Sequence, residues 1–262
     1  GMSFSSIASM LSAAQESGQP LYAVIRDADC QENGYDAAAS YRQIAALWTA
    51  MQQSSRQYCA SDRSNSGLIG GDAARFRAAA EAGYGVELDI QLSRDGQVVV
   101  FHDDTLDRVC GVHGRVDEFT FEELRGMRLC GTQETIPLLT EVFEVMGGRT
   151  PMIIELKTGR RNDELCEKGL ALMRAYNGPY CIESFDPRIV RWFRKNAKDV
   201  LRGQLSDAPA SFRDEPKPLA FALGCLFTNV LARPQFIAYG PGKKPWTARL
   251  AEAMGAIRVC WT

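Results

Sequence analysis

A closely spaced pair of carboxylates and a histidine lie in one short stretch, residues 85–103. Glu87 and Asp89 are two positions apart in the apolar run VELDIQL, so on a strand their side chains share one face. Carboxylates on a buried face repel each other unless a cation or hydrogen bonds hold them. The neighbouring Leu88 and Ile90 favour a buried strand over a strand with a solvated acidic face. The pair therefore indicates a site for a divalent metal with oxygen ligands.

A second pair, Glu155 and Lys157, ends the run PMIIELK, and His102 ends the run VVVFHD. If residues 151–156 form a barrel strand, Glu155 reaches the same end of the sheet as Glu87, where barrels carry their chemistry. The carboxylates could then bind one Mg²⁺ or Ca²⁺, while Lys157 contacts a phosphate and His102 transfers a proton to a leaving alkoxide. A surface ion pair and a structural histidine are the alternatives that the pattern leaves open.

Alternating strand and helix patterns position these side chains. Helical patterns at 72–83, 164–176, 186–197 and 245–255 lie between seven strand candidates: 85–91, 97–102, 151–156, 180–184, 201–205, 235–239 and 257–261. An eighth strand must come from 21–26 or 57–60. The alternation predicts an α/β fold, a (β/α)₈ TIM barrel of one domain spanning 1–262. Residues 1–71 form an atypical N-terminal region, and 104–137 form a small polar insertion after the third strand.

Composition and charge restrict the possible partners. The chain has 262 residues, a net charge of −2 and a pI of about 5.8, which gives no indication of nucleic-acid binding. No apolar run is long enough to span a membrane, and the first residues lack the pattern of a signal peptide, so we expect a cytoplasmic location. The eight cysteines contain no CxxC pair and are expected to be reduced thiols. The oligomeric state stays open.

The motifs ELDIQLSRDGQVVVFHDDTLDR, EELRGMRL, IPLLTEV, IIELK, IESFDP and RGQLS resemble the glycerophosphodiester phosphodiesterase family over roughly residues 72–262. The resemblance implies a TIM barrel that cleaves glycerophosphodiesters, small molecules of lipid and glycerol metabolism, to glycerol 3-phosphate and an alcohol. It implies a divalent metal, Mg²⁺ or Ca²⁺, on Glu87, Asp89 and Glu155, and it makes His102 a catalytic histidine. Lys157 and Trp261 become substrate contacts.

One family motif is altered in this sequence. The family's first strand ends in His-Arg-Gly, but the chain has only two histidines, His102 and His113, and neither lies near that position. Tyr58, Asp62 or Asp27 could replace the missing proton carrier. His113 could also replace it from the insertion, although its surroundings, GVHGRV, are typical of a turn with an exposed loop histidine. Loss of one of two proton-transfer groups costs a factor of about 10² to 10⁴ in rate. A slow hydrolase, a non-catalytic barrel that binds metal and phosphodiester, and a lyase of the phospholipase D type therefore remain as alternatives.

Overall fold

The computed structural model describes residues 76–77, 80–81, 85–240, 243–254 and 256–260. Within these residues, seven strands form one sheet in the order β2-β1-β3-β4-β5-β6-β7. The strands are β1 Val86–Leu92, β2 Val98–Val100, β3 Met152–Leu156, β4 Tyr180–Ser184, β5 Arg202–Ser206, β6 Phe236–Tyr239 and β7 Ile257–Cys260. All seven coincide with predicted strands to within two residues at each end.

Eight α-helices lie within the described residues. They are α1 Asp107–Cys110, α2 Phe121–Arg125, α3 Leu139–Met146, α4 Asn162–Ala175, α5 Pro187–Asn196, α6 Lys217–Gly224, α7 Asn229–Ala232 and α8 Trp246–Ala253. Strands β1 and β3 to β7 pair in parallel, and helices separate them along the chain from β3 onward. Of the predicted helix at 72–83, residues 76–77 and 80–81 are described, and they are helical.

The strand predicted at 97–102 differs from the parallel order of a barrel. It pairs antiparallel with β1, with Ile90 opposite Val100. Only a few residues connect the two strands, and Gly96 turns the chain at a φ of 78°. A parallel connection needs a crossover of a dozen residues or more, so this short turn can only produce a hairpin.

Apolar side chains pack on the helix-covered face of the sheet, here called the helix face. Leu88 and Ile90 of β1, Ile154 of β3 and Ile182 of β4 join one core with α3, α4 and α5. On the opposite face, here called the site face, a smaller apolar cluster includes Cys181 and Phe236. Each strand therefore divides its alternate residues between two environments.

A glycine on β5 makes room for this smaller cluster. A Cβ atom at Gly203 would lie 2.1 Å from the ring of Phe236, so a side chain there would displace the ring. Because Gly203 pairs with both Glu183 and Phe236 in the sheet, the ring lies next to the polar part of the site face. The apolar cluster thus borders the carboxylates described below.

The insertion predicted at 104–137 follows β2 and has its own apolar core, which includes Leu106, Leu124 and Ile136. Its helix α2 starts at a capping box, in which Thr120 and Glu123 satisfy each other's backbone N–H groups. Arg94 donates to Glu123, which fastens the insertion to the β1–β2 turn. In the part of the chain that the structure describes, no helix is long and apolar enough to cross a membrane.

Candidate active site

Three carboxylates lie side by side across the middle of the site face. Asp89 of β1 pairs in register with Glu155 of β3, and Glu155 pairs with Glu183 of β4. Residues in register on adjacent parallel strands point to the same face, and Glu87 is two positions from Asp89. The alternation of VELDIQL thus places the acidic side chains on the site face and Leu88 and Ile90 in the core.

The three predicted metal ligands lie close together. One carboxylate oxygen each from Glu87, Asp89 and Glu155 lies within 4.8 Å of the other two. Asp89 and Glu155 are buried, whereas Glu87 is exposed to solvent. Oxygen donors from three carboxylates suit a hard divalent cation, and the exposed side of Glu87 leaves a path for its entry.

Lys157 compensates part of this negative charge. Its Nζ lies 2.8 Å from Asp89 Oδ1 and 2.9 Å from Glu155 Oε1, and its side chain is only 15% exposed. The contact between the ammonium and Asp89 Oδ1 is a close ion pair. Because a carboxylate oxygen has more than one lone pair, Asp89 Oδ1 keeps coordinating capacity for a cation.

The electrostatics show that one ammonium does not balance the carboxylates. Desolvation raises the pKa of Glu155 to about 7, against the attraction of Lys157. Desolvation, with repulsion from Glu155 and Asp89, raises the pKa of Glu183 to about 8. Desolvation opposes the charge of Lys157 too, but Asp89 and Glu155 outweigh it and raise the pKa of the ammonium. A divalent cation would relieve this repulsion.

The pKa of Glu87 is also raised. Desolvation is the first cause, and the carboxylates of Asp89, Glu183 and Glu155 add to it. Glu87 nevertheless keeps contact with solvent, unlike Asp89 and Glu155.

His102 lies in the loop that follows β2, on the same hairpin as Glu87 and Asp89. Its ring Nδ1 is 2.7 Å from Asp103 Oδ1, and its side chain is 56% exposed. Arg108 donates two hydrogen bonds to the Asp103 carboxylate, through Nε at 2.7 Å and through a terminal nitrogen at 2.6 Å. The guanidinium thereby fixes the carboxylate that holds the imidazole, and it lowers the pKa of Asp103.

Gln91 connects this histidine loop to the carboxylates, a role that the sequence reasoning missed. It is two positions from Asp89 and lies on the same side of β1. Its amide donates to the carbonyl oxygens of Phe101 and Asp103 at 2.9 and 2.8 Å, one on each side of His102. The Phe101 N–H donates to the Asp89 carbonyl at 3.0 Å. The alternation that identified Glu87 and Asp89 already contained the signal for Gln91.

The structure also locates two other polar residues that the sequence analysis considered, His113 and Gln204. His113 is exposed in the insertion, with Nδ1 2.9 Å from Asp107 Oδ1, as expected of a loop histidine. Gln204, whose role the sequence left ambiguous, is one position out of register with Glu183 and donates to the carbonyl oxygens of Ser184, Phe185 and Leu205. These contacts give it a structural role. The candidate residues Trp261, Tyr58, Asp62 and Asp27 lie outside the described residues.

The sequence left two interpretations of Glu183 open: a place in the candidate site, and a structural ion pair with Arg202. The register pairs Glu183 with Gly203, whereas Arg202 points to the helix face beside Ile182 and donates to the Arg233 carbonyl. The structure thus places the Glu183 carboxylate beside that of Glu155.

Comparison with known proteins gives a consistent assignment. Residues 73–262 match the model of the glycerophosphoryl diester phosphodiesterase family. A glycerophosphodiester phosphodiesterase of Caldanaerobacter subterraneus subsp. tengcongensis is 43% identical over 96 residues, which are 33% of this chain and 39% of the relative. Human lysophospholipase D GDPD1 is 30% identical over 160 residues, which are 56% of this chain and 47% of the relative. The chain thus spans less than half the length of these two curated relatives.

Solved structures show the same fold. A phosphodiesterase of Oleispira antarctica, in complex with the product sn-glycerol-3-phosphate, aligns with a TM-score of 0.61 at 22% identity, over 73% of this chain and 78% of that chain. A glycerophosphodiester phosphodiesterase of Thermotoga maritima aligns with a TM-score of 0.53 at 25% identity, over the same shares of the two chains. These similarities confirm the predicted TIM-barrel class. Within the described residues the seven strands form an open sheet with β2 and β7 at its edges, and the eighth strand predicted at 21–26 or 57–60 lies outside those residues.

Proposed function

Because the chain belongs to the glycerophosphoryl diester phosphodiesterase family, we propose that it hydrolyses small glycerophosphodiesters to glycerol 3-phosphate and an alcohol with the help of a divalent cation. The observation that carries the proposal is the cluster of Glu87, Asp89 and Glu155, whose oxygens lie within 4.8 Å of one another. A cytoplasmic location and a single domain over residues 1–262 stay predictions.

The residues present fit a divalent cation, Mg²⁺ or Ca²⁺. All three proposed ligands offer carboxylate oxygens, and the single ammonium of Lys157 balances only part of their charge. When bound, such a cation neutralises phosphate charge and promotes attack by water. Lys157 would then turn its ammonium from the carboxylates to a phosphate oxygen of the substrate, as a point charge.

We assign the proton transfer to His102. With Nδ1 held by Asp103, the other ring nitrogen, Nε2, can give a proton to the leaving alkoxide. Asp103 stabilises the protonated imidazole, and Arg108 keeps Asp103 in place. His113 does not take a similar part, because its side chain is 97% exposed and lies in the insertion, away from the hairpin that carries Glu87 and Asp89.

A second candidate function follows from the histidine count. The whole sequence contains only two histidines, so a second histidine beside His102 is not available unless the exposed insertion carrying His113 rearranges. A barrel that binds metal and phosphodiester without turnover would need the carboxylates and Lys157 but no second proton carrier. Among metal-dependent relatives, a lyase that forms a cyclic phosphate is the remaining alternative.

The test is release of glycerol 3-phosphate from glycerophosphocholine, measured by a coupled assay in Mg²⁺, Ca²⁺ or EDTA. We expect metal-dependent turnover that is lost in His102→Ala and kept in the matched control His113→Ala. Calorimetry of the same proteins follows the metal, and phosphorus NMR identifies the product. Metal binding without turnover would establish the non-catalytic barrel, and a cyclic phosphate product would establish the lyase.

A further inference from the structure

Glu183 is a buried carboxylate of the site face to which neither the family match nor the sequence resemblance assigns a role. It stands on β4 directly beside Glu155, and only 5% of its surface is exposed. Its Oε2 is fully buried and accepts no hydrogen bond from the described residues. A buried carboxylate oxygen without a partner is costly, so a group other than the side chains and backbone of the described residues must satisfy it.

The position of Glu183 relative to the three proposed ligands indicates what kind of partner its buried oxygen can have. Glu87, Asp89 and Glu155 form the group whose oxygens are mutually within 4.8 Å, and Glu183 is not a member of that group. Neighbouring strands lie about 4.8 Å apart, so Glu183 is one strand spacing from Glu155. Because Glu183 is outside the group, its carboxylate oxygens lie more than 4.8 Å from at least one of the three ligand oxygens, a gap that a single water molecule can bridge.

Lys157 is not the partner of the buried Glu183 oxygen. Its ammonium contacts Asp89 at 2.8 Å and Glu155 at 2.9 Å, the two carboxylates nearest to it. On the other side of Glu183, β5 presents Gly203, and the ring of Phe236 from β6 lies over it, so neither residue offers a side-chain donor. Among the described residues, the charged neighbours of Glu183 are therefore the proposed ligands Glu155 and Asp89 and the ammonium of Lys157.

We propose that Glu183 strengthens metal binding from outside the ligand set, by accepting a hydrogen bond from a water molecule held by the cation. The inference rests on the proposed metal site. It makes Glu183 a positioning residue, which adds one negative charge near the cation and orients a bound water without displacing Glu87, Asp89 or Glu155. Partners of this kind typically change metal affinity by a factor of about 10 to 100.

Isothermal titration calorimetry with Mg²⁺ tests the proposal on the full chain. In Glu183→Gln, which keeps the size and an acceptor but removes the charge, we expect the Kd for Mg²⁺ to rise about 10-fold. Glu164→Gln is the matched control, because it removes one carboxylate charge from the exposed start of α4, where Glu164 pairs with Arg161 and Lys168. Its Kd should stay within about twofold of the wild type.

Thermal unfolding distinguishes a variant that binds Mg²⁺ less tightly from a variant whose fold is destabilised. In EDTA, Glu183→Gln should melt at or above the wild-type temperature, because it removes a buried repulsion. Saturating Mg²⁺ should raise its melting temperature less than that of the wild type. Glu183→Met, of similar length but without an acceptor, should show the same pattern more strongly.

A Kd for Glu183→Gln within about twofold of the wild type would overturn the inference. This failure is distinguishable from failure of the proposed function. A wild type that binds Mg²⁺ but releases no glycerol 3-phosphate refutes the hydrolase alone, whereas equal Mg²⁺ affinity in an active wild type and Glu183→Gln refutes the role of Glu183 alone.

Discussion

Replacing Lys157 by Met should destabilise the metal-free protein strongly. The ammonium lies 2.8 Å from Asp89 and 2.9 Å from Glu155, and the side chains of all three residues are at most 15% exposed. Met fills a similar volume but carries no charge. Removal of Lys157 therefore leaves two buried carboxylates without their cation.

The magnitude follows from the burial of the pair. Breaking a buried ion pair on one side costs about 3–5 kcal/mol of unfolding free energy, which lowers the melting temperature of a chain of this size by about 6–20 °C. The pKa of Glu155 is about 7, so the loss should be largest above that pH, where Glu155 is ionised, and smaller at pH 6. Mg²⁺ should recover part of it, because the cation replaces the missing positive charge.

Urea unfolding in EDTA and in Mg²⁺, at pH 6 and pH 8.5, measures these differences. Lys168→Met is the matched control. Lys168 pairs with Glu164, but the two side chains are 43% and 36% exposed, respectively. An exposed pair of this kind contributes at most about 1 kcal/mol. Equal losses for Lys157→Met and Lys168→Met in EDTA at pH 8.5 would refute the reasoning.

Three further predictions concern the histidine loop and the pH dependence. His102→Ala should abolish turnover and leave the calorimetric Kd for Mg²⁺ unchanged; weaker metal binding would contradict its assignment to proton transfer. Gln91→Leu removes both hydrogen bonds that flank His102, so we expect kcat to fall by about 10- to 100-fold with little change in metal affinity. An unchanged kcat would show that the loop carrying His102 keeps its conformation without Gln91. In EDTA the free energy of unfolding should fall as pH rises from about 5 to about 8, because Glu155 and Glu183 bind protons more tightly in the folded state than in the unfolded state. Urea midpoints that rise over this pH range would contradict the raised pKa values of Glu155 and Glu183.

The acidic part of the site could be predicted because its information is local. On one strand, a spacing of two residues already determines that Glu87 and Asp89 share a face, and apolar neighbours determine which face is buried. Glu155 followed from the same argument on β3. Glu183 could not be decided, because its partner depends on whether β5 presents Gly203 or Arg202 beside it, and this register is a property of the whole sheet.

The fold shows the same division between local and distant information. The strand at 98–100 was predicted, but its antiparallel direction depends on the length of the preceding turn. Helices α6 and α7 were missed, since both are short and their apolar side chains are largely exposed; Phe221 and Val230 are 55% and 75% exposed. Without a buried stripe, such helices lack the periodicity by which a helix is recognised.

The β1–β2 hairpin has a consequence for how the site assembles. Two proposed metal ligands and the proposed proton carrier lie within one contiguous segment, and the hydrogen bonds from Phe101 to Asp89 and from Gln91 to Phe101 and Asp103 close it with short loops. Short loops cost little entropy to close, whereas Glu155 joins only after the chain has passed through the entire insertion. The relative placement of Glu87, Asp89 and the His102 loop is therefore specified by contacts within one hairpin, whereas the placement of Glu155 beside them depends on long-range pairing of β1 with β3.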